Sequence, residues 1–244
     1  MNLKSFILPL ASILILNACK KDPAVTNPVK FTSTKYQTLG YNPSGKPNFL
    51  LKDTISSNLL AFIHTMLPDA VNLTITHPEL FSTSAIADIK ITQTSDVYIT
   101  FVTENTSLTN SIAFYTYPSN KPPLSAKDIK LITYVLPSAG SNTPLVPGDK
   151  IKIGKFEPGN SIGFVLMQDA WDGSKGMPDN DAVHLCSNDA LNPEVDPKLK
   201  KHAVLIDYTP ENKIIVGFED TNRTYPSCDN DFNDVTFYVT VVHS

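Results

Sequence analysis

The segment Asp234–Val242, DVTFYVTVV, alternates without a break: Val235, Phe237, Val239 and Val241 fall on one side, and Thr236, Tyr238 and Thr240 on the other. A period of two is the mark of a β-strand, and β-branched and aromatic residues are the types that pack well on a pleated surface. Working back from this strand, Lys213–Phe218 (KIIVGF) and His202–Tyr208 (HAVLIDY) have the same composition. Ser161–Gln168 (SIGFVLMQ) is a nearly continuous apolar run, as expected of a strand covered on both faces. Lys150–Phe156, Ser111–Tyr117 and Asp96–Val102 read as strands, with weaker ones near Ala87–Thr92 and Ile129–Val135, which makes about nine. Helical spacing occurs in Thr54–Leu67, where Ile55, Leu59, Phe62, Ile63 and Met66 recur, with Asp53 or Thr54 as N-cap and Pro68 as the stop. The pattern predicts an all-β fold: an antiparallel β-sandwich or jelly roll with one short N-terminal helix.

Composition sets the outer limits. The chain has 244 residues, 41% apolar and 18% charged, so it can bury a core and is not disordered as a whole. Its formal charge is −4, and Arg223 is its single arginine. Nothing in it resembles the clustered basic field that nucleic-acid binding requires.

The N-terminus suggests an address. Phe6–Leu16 is an apolar run too short to span a bilayer, which needs roughly 20 residues, but suited to the core of a secretory signal. Leu16-Asn17-Ala18-Cys19 follows and resembles the bacterial lipobox, although Asn17 departs mildly from it. The expected organisation is a signal peptide over 1–18, a lipidated Cys19 with a flexible tether over 19–50, and one β-sandwich domain over 51–244. Two or three acyl chains hold a protein stably on a membrane. The expected location is therefore the bacterial cell envelope, lipid-anchored at the outer membrane and facing either the periplasm or the surface.

The strongest chemical signal is Gly217–Asp234, GFEDTNRTYPSCDNDFND. Glu219, Asp220, Asp229, Asp231, Asn233 and Asp234 are oxygen donors of the kind calcium takes, six to eight at a time and in irregular geometry. Two like charges ~5 Å apart repel by roughly 3 kcal/mol at an effective dielectric of 20, so a packed cluster of carboxylates needs a cation or its protons. The spacing lacks the sixth-position Gly and twelfth-position Glu of an EF-hand. A solvated acidic turn that only caps backbone groups is the competing reading. A second acidic loop, with Asp169, Asp172, Asp179, Asn180 and Asp181, could complete this site, form another or be an exposed turn. Trp171 lies within it and could stack on a sugar or pack over the end of the sandwich.

Cys186 and Cys228 either form a disulfide, which would close a long loop and fix the acidic segment, or stand as free thiols. Gly159-Asn160-Ser161-Ile162-Gly163 matches a nucleophile elbow in letters only, because Pro158 precedes it and a strand follows. The five histidines show no zinc-binding spacing. No catalytic residue is assigned.

GFED, a loop and DNDFNDVTFYV together resemble the closing signature of bacterial domain-of-unknown-function family 4114, related to LruC-type lipoprotein domains. DVYITFVTEN, SIAFYTYP, DKIKIGKFEPGNSIGFVLMQDAW, CSNDALNPE and KHAVLIDY follow the same pattern in order. The resemblance implies an all-β extracytoplasmic module and brings no enzymatic activity to carry over. It places the family's acidic positions at Glu219, Asp220, Asp231, Asn233 and Asp234, and a further polar pair at Glu104 and Asn110. With it, calcium becomes the favoured reading: a non-enzymatic, membrane-anchored calcium module with a structural or adhesive role. A carbohydrate-binding protein or weak glycan hydrolase is the alternative, and a glycan or protein at the cell surface the expected partner.

Overall fold

The computed structural model describes residues 29–244, so the expected signal peptide and Cys19 lie outside the described residues. In chain order the strands are β1 (Lys35–Thr38), β2 (Leu51–Lys52), β3 (Ile89–Lys90), β4 (Ser95–Glu104), β5 (Ser111–Pro118), β6 (Leu131–Leu136) and β7 (Asp149–Phe156). They continue as β8 (Asn160–Gln168), β9 (Trp171–Asp172), β10 (Met177–Pro178), β11 (Val183–Cys186), β12 (Ala203–Tyr208), β13 (Lys213–Phe218) and β14 (Val235–His243). Helix α1 is Ser57–Met66 and the single turn α2 is Leu73–Thr76.

Two six-stranded sheets face each other. One runs β1-β6-β5-β8-β11 with β3 also on β8, and the other runs β12-β13-β14-β4-β7-β2. All pairings are antiparallel except β1 on β6. The predicted alternation of the last strand is what builds the core. Val235, Phe237 and Val239 point inward with Val97, Ile99 and Phe101 of β4, and meet Ile112, Phe164 and Leu166 of the other sheet. Phe164 and Phe237 touch edge to face across the sandwich, their centroids 5.1 Å apart. Burying such side chains contributes roughly 1.5–3 kcal/mol each relative to exposure.

The outer faces are covered as well. Tyr238, on the polar side of β14, is fully buried beneath α1, whose Leu59 and Ile63 pack with it and with Val204, Ile206 and Ile215. The Tyr238 hydroxyl donates to Asp53, which also pairs with Lys150. Asp53 therefore anchors the sheet and does not cap the helix. The cap is Ser56, whose hydroxyl accepts from the Leu59 N–H at 3.0 Å.

Much of the expected tether is folded. Phe31 is buried and stacks on His184 at 4.1 Å, Tyr36 reaches the other ring nitrogen region of that histidine with its hydroxyl, and β1 pairs along β6. Pro47 bridges back to Tyr41. Residues 31–50 thus belong to the folded domain. Their apolar anchors are too sparse to show periodicity, and their partner strand lies far away in sequence.

Candidate metal centre

The hairpin β13–β14 opens at one end of the sandwich. Phe218 pairs with Val235, and everything between them is loop. Alternation across this junction sorts the side chains. Phe218 enters the inner core, while Phe232 enters the outer core under α1; both are fully buried. The intervening acids are left facing one another. Gly217 is required by this path: a Cβ there would sit 2.3 Å from the Phe232 carbonyl oxygen. Asn230 and Phe232 adopt left-handed backbone, with φ of 60° and 57°, which turns the chain over the end of β13.

Glu219, Asp220 and Asp231 are each no more than 2% exposed. Asp220 accepts from the Asn110 amide and the Thr106 hydroxyl, both at 2.5 Å. Asp234 accepts from the Asp220 N–H at 2.6 Å. Asp231 accepts from the N–H groups of Ala70 at 2.8 Å and Asn233 at 3.1 Å. Glu219 accepts from the Thr221 N–H at 3.2 Å on Oε1 and from the Cys228 thiol, whereas its Oε2 is buried with no hydrogen-bond partner. Oxygens of Glu219, Asp229 and Asp231 lie within 4.8 Å of one another, and so do those of Glu219, Asp220 and Asp234.

The electrostatics follow from this packing. Burial, then the neighbouring Asp229, pushes the Glu219 carboxyl up to about 7. Burial, then Asp220 and Glu219, pushes Asp234 higher still, and burial also raises Asp231. The one guanidinium in reach does not neutralise them. Arg223 donates to Asn230 and to the carbonyls of Lys198 and Lys201, and lies over the rings of Phe81 and Phe232. Behind Glu219, the fully buried His202 holds the Glu219 carbonyl at 2.8 Å with Nδ1 and the Glu194 carboxylate at 2.9 Å with Nε2. Carboxylates, a buried oxygen without a partner and few compensating cations make a donor set suited to a hard cation.

Five of the six expected donors converge. Asn233 instead turns its carbonyl oxygen toward the Asn105 amide, at 3.3 Å. Of the polar pair, Asn110 reaches the centre, whereas Glu104 accepts from the Thr106 N–H at its edge. Thr106 and His202 went unread in the sequence. They arrive from the β4–β5 loop and from the residue before β12, and only the fold brings them here.

The second acidic loop does not gather. Asp169 accepts from the N–H and hydroxyl of Thr109, Asp172 from Ser174 and Lys175, and Asp179 from the Asp181 N–H. Asp172 also pairs with the Lys175 ammonium at 2.8 Å. Trp171 packs edge-on against Tyr41 at 5.8 Å and lies close over Gly45, so it closes the end of the sandwich over the N-terminal segment. Cys186 and Cys228 are free thiols. Cys186 is buried in the outer core beside Met167 and Leu191, while Cys228 sits in the acidic loop, so the disulfide reading is set aside. Ser161 is a buried strand residue whose hydroxyl bonds Ser119, as the absence of an elbow predicts.

No curated protein and no solved structure matches the chain. Residues 156–242, which run from the end of β7 through β14 and contain every acidic residue of the centre, match the family model of a domain of unknown function (DUF4114).

Proposed function

We propose that the protein is a non-enzymatic calcium-binding β-sandwich module of the bacterial cell envelope, held on a membrane by lipid at Cys19. One observation carries the calcium reading: Glu219 has a buried, unpartnered carboxylate oxygen, and its carboxylate groups with those of Asp229 and Asp231 and with those of Asp220 and Asp234. An isolated buried charge of this kind is costly unless a cation or a proton joins it. Calcium suits the all-oxygen donor set, and extracellular sites of this type have Kd on the order of 10⁻⁴ to 10⁻³ M, so such a site is filled where the surroundings hold calcium at or above that concentration. The bound ion would draw together the β13–β14 loop, the segment after α1 and the β4–β5 loop, giving one end of the sandwich a fixed surface for a partner. No helix among the described residues is long and apolar enough to cross a membrane, so the anchor rests on the lipobox-like sequence. Thermal melts in calcium and in chelator test the reading. A higher midpoint in calcium supports it, and identical midpoints overturn it. The mass of the N-terminal peptide tests the anchor separately.

A further inference from the structure

We infer that the acidic centre holds two calcium ions bridged by Glu219, an assignment that rests on the calcium reading above. Calcium keeps its oxygens at 2.3–2.6 Å, so two ligands of one ion are never more than about 5 Å apart. The carboxylates meet that limit as two sets, Glu219 with Asp229 and Asp231, and Glu219 with Asp220 and Asp234. Glu219 is the single member common to both. Its two oxygens also differ. Oε1 accepts the Thr221 N–H, whereas Oε2 is buried and unpartnered in a side chain only 1% exposed. A buried carboxylate that belongs to both sets and keeps one oxygen free of any donor is placed to act as a bridging ligand.

Charge favours the higher count. Glu219, Asp220, Asp229, Asp231 and Asp234 carry five formal negative charges, and Arg223 donates instead to Asn230 and to backbone carbonyls. One divalent ion leaves three of those five charges uncompensated, and two leave one. The remaining positions around each ion fall to water or to a partner's oxygens. Asp229, the exposed member, marks the set that opens outward.

Equilibrium dialysis of the folded chain against radioactive calcium at saturation reads the stoichiometry. Two ions per chain are expected for the wild type and one for Asp229→Asn, whose exposed position keeps folding out of the comparison. Glu219→Gln is expected to weaken both sites together by at least tenfold, with circular dichroism confirming its fold. One ion in the wild type, or two retained in Asp229→Asn, overturns the bridged pair and leaves calcium binding standing. No bound ion overturns both.

Discussion

Two stretches of this chain are equally rich in aspartate and lie side by side at one end of the sandwich, where Asn110 bonds both the Asp169 N–H and the Asp220 carboxylate, yet their carboxylates are treated differently. In the loop from Asp169 to Asp181 the carboxylates turn onto nearby N–H and hydroxyl groups, and Asp172 also meets Lys175. In the segment from Glu219 to Asp234 the carboxylates are pressed together under the end of a sheet, and one oxygen has no donor at all. Acid content is therefore a poor guide to a cation site. What separates the two is whether local backbone donors satisfy the oxygens, or whether the fold buries them faster than it supplies donors.

The largest expected effect tests that contrast at Glu219. Calcium at one hundred times Kd stabilises by about 2.7 kcal/mol per site. For a domain of this size that is a rise of roughly 5–10 °C in midpoint, readable by calorimetry. Glu219→Gln is expected to remove most of this rise and to melt above the wild type in chelator, because a neutral amide replaces a crowded charge. A variant that keeps the full calcium response breaks the comparison. Next comes Gly217→Ala. Its methyl group meets the Phe232 carbonyl at 2.3 Å, and forcing that contact costs about 1–3 kcal/mol by urea denaturation, with calcium affinity falling as Asp231 is displaced.

Proton binding is expected to run in opposite directions in the two regions. Glu219, raised to about 7 by burial and then by Asp229, keeps its proton in the calcium-free folded chain where an unfolded glutamate has lost it. Its contribution to stability is therefore complete below about 4.5 and declines as pH rises toward 7. Asp172 is held below the usual carboxylate range by Lys175 and then Ser174, so its contribution is present above about 4 and is lost as pH falls further. Carbon-detected NMR titration of the side-chain carboxyls in chelator checks both. Glu219 is expected to titrate above, and Asp172 below, their ordinary values; a Glu219 midpoint at or under the ordinary value removes the electrostatic case for a cation.

How far the sequence reaches depends on the distance over which each feature is encoded. Val235, Phe237 and Val239 announce the core face by alternation alone, and the structure places them there. The same alternation assigns Tyr238 to the other face without revealing that α1 covers it, since periodicity reports faces and not their neighbours. Glu219, Asp220, Asp231 and Asp234 are legible because they flank one hairpin. Asn110 is flagged only through the family resemblance, and Thr106 and His202 are not legible at all, because they reach the centre from the β4–β5 loop and from the residue before β12. Phe31 and β1 look like tether for a related reason: their pairing with β6 spans most of a hundred residues and leaves no local trace. The spacing of the cysteines allows a disulfide, yet Cys186 lies in the apolar layer beside Met167 and Leu191 while Cys228 stands in the acidic loop.

The smallest expected effect belongs to Asp172, and it is informative because it is small. Its carboxylate caps a turn and faces an exposed ammonium, an arrangement that water and salt screen strongly. Asp172→Asn retains an acceptor for the Ser174 and Lys175 N–H groups, so the turn persists without the charge. The calcium-dependent rise in midpoint should equal that of the wild type, and added salt should shrink whatever difference in midpoint remains between the two proteins in chelator. A loss of calcium response in this variant would mean that the second loop feeds the metal centre after all. The distinction between satisfied and crowded carboxylates would then have to be drawn across the whole end of the sandwich, with the Thr109–Asp169 contact as the link between the two loops.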